Sequence, residues 1–156
     1  MVRRTDEGGV SRIMSAVFST IVVVCFFLPW KAVFGQSAAG YEIAYAAARL
    51  MDSAPGRGLV LLALAVVPLG CHAANTVIQV VQGPTPPSLW LVTAPPVLWL
   101  AVFVWALAGT RSPYFTAAML PSEVGGIGTG LAMVLAWVAA WSARLSEEAE
   151  AARGRP

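Results

Sequence analysis

Residues 58–81, GLVLLALAVVPLGCHAANTVIQVV, decide the fold class: a long hydrocarbon run, free of charge, that carries a histidine, an asparagine and a glutamine towards its end. A helix needs about 20 mostly apolar residues to cross roughly 30 Å of hydrocarbon at about 1.5 Å per residue, and this stretch has that length. Three others meet or approach it, at about residues 13–30, 88–109 and 124–144. The expectation is an all-α integral membrane four-helix bundle, one domain, with a charged cytoplasmic tail over residues 145–156. Pro95-Pro96 removes two donors from the helical ladder of the third span, but the run from Val97 to Gly109 is too short to cross alone, so one helix kinked near Ala94 is expected.

Composition agrees with that reading. Of 156 residues 58% are hydrophobic and 12% charged, against about a quarter charged in soluble domains. The formal charge of +2, with Lys and Arg near helix ends rather than along a basic stripe, argues against nucleic acid as a partner; membrane lipids are the expected surroundings. Cys25 and Cys71 both lie in apolar runs, unlike a disulfide framework. Their depths in the two spans differ by roughly 10 Å at 1.5 Å per residue, more than the ~7 Å between Cα atoms that a disulfide tolerates. Two free thiols are expected.

The first span has a competing reading as a signal peptide, because Arg3, Arg4 and Arg12 precede an apolar run and Ser37-Ala38-Ala39 offers small residues for cleavage. Those residues stand well beyond the apolar run, and Cys25 follows three valines where a lipoprotein signal wants a small residue, so the span is preferred. Four spans put both termini on one side. Arg3, Arg4, Arg12, Arg144, Arg153 and Arg155 lie on that side, against Lys31, Arg49, Arg57 and Arg111 on the other, which biases the termini towards the cytoplasm.

The first connection begins with Pro29-Trp30-Lys31. Pro29 suits the end of a helix and Trp30 reads as an anchor at headgroup depth. Gly35 to Gly40 forms a flexible lead into "YEIAYAAARLM", residues 41–51, whose Ile43, Ala47, Leu50 and Met51 share or border one face. A short interfacial helix is expected there, ended by Asp52-Ser53-Ala54-Pro55-Gly56. Trp30, Tyr41, Glu42 and Tyr45 are the candidate outer-loop interface for another protein. The second connection, "TRSPYFTAAMLPSEV" over 110–124, is too apolar for a plain solvated linker. Trp90, Trp137 and Trp141 are expected as a belt at the opposite interface, and Arg144 and Glu148 are spaced to pair on a helical tail.

Two patterns inside the spans could carry function. Gly128, Ala132, Ala136 and Ala140 recur every four residues, with Gly126 and Gly130 beside them, and such a small-residue ridge lets a second backbone approach closely. Whether that backbone belongs to the first span or to another protein is open at this level. In the second span His72, Asn75 and Gln79 fall within roughly 60° of one another at about 100° per residue. Polar groups at such depth face a bundle interior or a cavity, and bridging hydrogen bonds are the first reading. His72 could alternatively serve as the single axial ligand of a haem or a chlorophyll-type pigment. No cofactor and no metal site are otherwise expected, since no ligand spacing is present, and no catalytic set appears.

"FLPW" at 27–30, "AGYEIA" at 39–44 and "GGIGTGLAMVLAW" at 125–137 together resemble a loose group of small, uncharacterised bacterial four-span proteins. Members read Leu-Pro-Trp and then Ser-Gly-Tyr or Ser-Gly-Phe; the Ser of that motif is Ala39 here. The resemblance implies a multi-pass protein of the bacterial inner membrane and carries no activity. The leading expectation is a non-catalytic accessory or assembly subunit of a larger membrane complex, packed against other integral membrane subunits through the ridge or the outer loop. The rivals are a small transporter or channel using the polar stripe, and a pigment- or haem-bearing subunit.

Overall fold

Pro29 sets the end of the first helix. A proline has no N–H and its ring collides with the carbonyl four residues earlier, so helix α1 (Glu7–Cys25) ends at Cys25, and Leu28 bonds back to Cys25 over three residues instead. The computed structural model describes residues 7–33, 36–82, 86–109 and 123–153. After α1 come strands β1 (Pro29–Val33) and β2 (Gln36–Ala39), then helices α2 (Gly40–Leu50), α3 (Pro55–Val81), α4 (Pro86–Gly109) and α5 (Val124–Arg153). The chain is almost wholly helical, as expected. The second connection, over residues 110–122, lies outside the described residues.

Helices α1, α3, α4 and α5 pack in a ring: α1 lies against α3 and α5, and α4 against α3 and α5. Two of them, α3 with 27 residues and α5 with 30, are long and apolar enough to cross a membrane. The apolar portions of α1 and α4, Gly9–Cys25 and Ser88–Val104, are shorter. Helix α4 passes through Pro95 and Pro96 as one helix, as its length required. Helix α5 continues into the tail, where Arg144 pairs with Glu148 at 2.8 Å and approaches Glu147 at 4.0 Å. Cys25 and Cys71 are free.

The antiparallel hairpin of β1 and β2 was not anticipated. Strand β2 occupies residues 36–39, where the sequence suggested a flexible lead. Strands this short show little alternation, and a two-stranded hairpin is marginal by itself; this one is held by its neighbours. The Glu123 N–H donates to the Trp30 carbonyl at 3.1 Å, tying β1 to the start of α5. Glu42 Oε2 accepts the Ala39 N–H at 2.8 Å, tying β2 to the first turn of α2, the carboxylate half of a capping box.

Trp30 is corrected by the fold. It is 6% exposed, not turned outward as an anchor, because its indole has a partner inside. Trp30 Nε1 donates to the Cys25 carbonyl at 2.9 Å, the same carbonyl that Pro29 cannot satisfy. The device is repeated one helix away. Pro68 leaves the Leu64 carbonyl without its helical donor, and Trp99 Nε1 supplies one at 3.0 Å. The two indoles meet edge to face with centroids 5.9 Å apart, and Phe26 stands 6.1 Å from Trp30 in the same manner. Ala65 completes the buried cluster, with Ile43, Ala44 and Leu69 around it.

Glycine is required where backbones touch. A Cβ on Gly125 would stand 2.6 Å from the carbonyl oxygens of Leu28 and Pro29, whereas one on Gly130 would meet nothing within 4 Å. Gly125→Ala should therefore lose stability despite its better helix propensity, since overpacking against backbone costs about 1–3 kcal/mol. Gly130→Ala should gain up to about 1 kcal/mol. Unfolding midpoints of the two variants in detergent check this pair. The indole device has its own test. Trp99→Phe should cost about 1–3 kcal/mol by orphaning the Leu64 carbonyl. The cost should shrink when Pro68→Ala restores a backbone donor; equal costs in both backgrounds would remove the coupling.

Candidate functional site

The sequence-predicted residues separate into three places. The polar stripe lies between α3 and α1, the small-residue ridge between α5 and α1, and the outer-loop aromatics on and around α2.

On α3, His72, Asn75 and Gln79 are at most 2% exposed. They face two α1 residues that the reading of motifs passed over, Ser15 and Ser19, both fully buried. The signal was present: Ser11, Ser15 and Ser19 recur every four residues in a run that is apolar but for Arg12, complementary in spacing to the stripe on α3. The hydrogen bonds run in one direction. Gln79 Nε2 donates to Asn75 Oδ1 at 3.4 Å and to Ser88 Oγ of α4 at 3.4 Å. Asn75 Nδ2 donates to Ser19 Oγ at 2.8 Å and to Ser15 Oγ at 3.4 Å. Ser15 in turn donates to the Ala136 carbonyl of α5 at 3.3 Å.

Ser19 Oγ lies 3.0 Å from His72 Nδ1. Ser19 Oγ also accepts the Asn75 N–H, and with a second lone pair and one proton it can either donate to Nδ1 or accept from it, so the roles in this bond depend on the histidine tautomer. His72 Nε2 and Gln79 Oε1 are the buried side-chain atoms without a hydrogen-bond partner among the described residues. The file thus joins all four long helices and ends at His72, whose Nε2 has no partner among the described residues. For the haem or pigment alternative the ring is fully enclosed, so a macrocycle at Nε2 would have to displace packed neighbours.

The ridge of α5 is turned inward. Ala132, Ala136 and Ala140 are at most 3% exposed. Ala132 and Met133 pack with Val22 of α1, and a Cβ on Gly128 would come within 2.9 Å of Cys25 Sγ. Gly126 is buried as well. Gly130 is the exception, since open space lies beside it. The ridge is therefore the seat of α1 in the same chain, and the small residues are what allow Ser15 to reach a backbone carbonyl of α5. Thr129, beside the ridge, bonds back to Gly125 within its own helix at 2.7 Å.

Helix α2 rests on α3. Ala47 is buried, and a Cβ on Gly58 would stand 2.8 Å from its carbonyl. Tyr41 and Tyr45 are half or more exposed. The Arg49 guanidinium lies over the Tyr45 ring at 4.8 Å, and exposed Phe27 stands 6.4 Å from Tyr41. Glu42 is a cap for its own helix, and Trp30 is in the core, so of the four outer-loop residues only the tyrosines present their side chains outward without a structural bond that explains them.

Asn75→Leu should cost about 1–3 kcal/mol, because it strips partners from Ser19 and Gln79 while both stay buried. Thr20→Val should be nearly neutral, because the Thr20 hydroxyl already returns to Ala16 of its own helix at 2.9 Å. Reversible unfolding in mixed micelles measures both; equal effects would mean that the file contributes nothing to holding the helices together.

Comparison with protein families, with curated proteins and with solved structures returns no match for this chain.

Proposed function

We propose that this chain is a four-span, non-catalytic protein of the bacterial inner membrane, with its termini cytoplasmic, and that it serves as an accessory subunit of a larger membrane assembly through its outer face. The observation that carries the membrane half is an inversion of polarity. Ser15, Ser19, His72 and Asn75 have no exposure at all, while Ile13, Val80, Leu100 and Leu131 are each more than 60% exposed. A water-soluble domain has the opposite arrangement, whereas polar groups in a bilayer turn to the bundle interior. The apolar parts of α1 and α4 reach about 25 Å at 1.5 Å per residue, near the lower limit for a span. They run beside the longer α3 and α5. Trp90, Trp137 and Trp141 are all exposed, in keeping with a belt at one interface.

Support for the accessory role narrows to the outer face. With the ridge of α5 occupied by α1, the platform of α2 is what remains: Phe27, Tyr41 and Tyr45 are 61%, 50% and 61% exposed. Exposed aromatics on a rigidly seated helix are suited to a protein interface. A small transporter is the second reading, favoured by the unpartnered His72 Nε2 at the end of a buried polar file. Solute flux into liposomes that vanishes in His72→Ala would support that reading over the first.

Topology and docking can be measured together after Cys25 and Cys71 are replaced by Ala. In intact cells a membrane-impermeant maleimide should label Ser53→Cys and should label Ala149→Cys only after lysis; the reverse pattern, or labelling of both, rules out this topology. A photo-crosslinking residue at Tyr45 should give one discrete adduct in native membranes, and the same residue at Leu131 should give none. A smear at both positions would argue against docking.

A further inference from the structure

Between α1 and α3, on the outside of the bundle, runs an open groove of about 670 Å³. Ile13, Val17 and Ile21 from α1 and Val80 from α3 line it, and Arg12 and Gln79 stand at one end. From Arg12 to Ile21 it extends about 14 Å at 1.5 Å per residue, close to the roughly 15 Å depth of one leaflet. Thr20 and Thr76 also line it, yet their hydroxyls turn back to the Ala16 and His72 carbonyls at 2.9 and 3.0 Å. The middle of the groove therefore asks for no polar ligand.

Arg12 is fixed at the mouth. Its Nε donates to the Gln79 carbonyl at 2.9 Å, one of the last four carbonyls of α3, which have no helical donor. This bond places a cation at the negative end of the helix dipole and uses one of five guanidinium N–H groups. Among the described residues Arg12 makes no ion pair with a carboxylate. A half-buried, immobilised guanidinium with free forked donors is suited to a phosphate.

We infer that this groove binds one anionic phospholipid of the leaflet at the N-terminal end of α1, with its phosphate on the Arg12 guanidinium and an acyl chain laid along Val17 and Ile21. The site rests on the membrane-spanning reading above. It is a selective lipid site, because it joins a fixed guanidinium to a chain-length apolar slot.

The test uses the full chain in nanodiscs with phosphatidylglycerol or phosphatidylcholine spin-labelled near the end of an acyl chain. The immobilised spectral component should favour phosphatidylglycerol by about fivefold, the effect of one cation of about 1 kcal/mol near a membrane surface. Arg12→Gln retains an N–H donor for the Gln79 carbonyl and should lose that preference while α3 stays capped. Ala16→Leu fills the slot and should reduce the immobilised component for both lipids. Unchanged preference in Arg12→Gln, or an unchanged immobilised fraction in Ala16→Leu, would overturn the site. So would a chain-to-chain crosslink through Val17→Cys, which would assign the groove to a second copy. A chain that fails to enter nanodiscs would overturn both the site and the membrane reading, whereas insertion without lipid preference overturns the site alone.

Discussion

A backbone carbonyl that proline has deprived of its helical donor is the constraint around which the half of this bundle beside α2 is arranged. In an apolar interior such a group has no water to turn to, and leaving it unpaired costs on the order of kilocalories. The chain answers the problem twice with the same side chain: Trp30 donates to the Cys25 carbonyl, which Pro29 leaves with only the Leu28 N–H at 3.1 Å, and Trp99 donates to the Leu64 carbonyl that Pro68 frees. Because the two indoles are in contact, the two repairs are one cluster, and that cluster joins α1, α3 and α4 and supports β1 and α2 from beneath. The close approach of Gly125 to the carbonyls of Leu28 and Pro29 brings α5 to the same point.

The other half of the bundle is held by different chemistry. Small residues along α5 let α1 sit near its backbone, and the serines of α1 are then short enough to bridge α3 without opening a gap. On the membrane-spanning reading proposed above, apolar burial between helices contributes little against lipid, so close packing and interhelical hydrogen bonds are what remain. Each such bond averages only about 0.6 kcal/mol in a membrane protein. The file from Gln79 to His72 is accordingly a means of fixing register as much as a source of stability. An aromatic end beside α2 and a polar end beside Gln79 give the molecule two unlike halves, and the groove bearing Arg12 belongs to the polar one.

Much of this architecture was legible from residue pattern alone. The four apolar stretches, the surface helix after Gly40, its termination before Pro55 and the single passage through Pro95-Pro96 all follow from length, periodicity and the chemistry of proline. The stripe of His72, Asn75 and Gln79 was legible as polar and inward for the same reason. Trp30 was misread because its position after a helix end and before a lysine matches an interfacial anchor, and nothing local indicates that an indole partner awaits it on a helix some seventy residues away. The hairpin escaped because its strands carry no alternating pattern of their own. Ser15 and Ser19 were overlooked because serine is common in apolar helices, and only the facing stripe gives it meaning.

The sequence by itself determined that these helices are apolar outside a few polar positions, roughly where they lie along the chain, and that small residues line one face of the last. It did so because helix periodicity and proline chemistry act within a few residues. Only the tertiary structure decided what meets those features: α1 rather than another protein on the ridge of α5, the serines of α1 opposite His72 and Asn75, and Trp99 at the carbonyl behind Pro68. Those are pairings between segments far apart in the chain. Spacing fixes which face a residue occupies, but the identity of the opposing face depends on how four helices close into a ring.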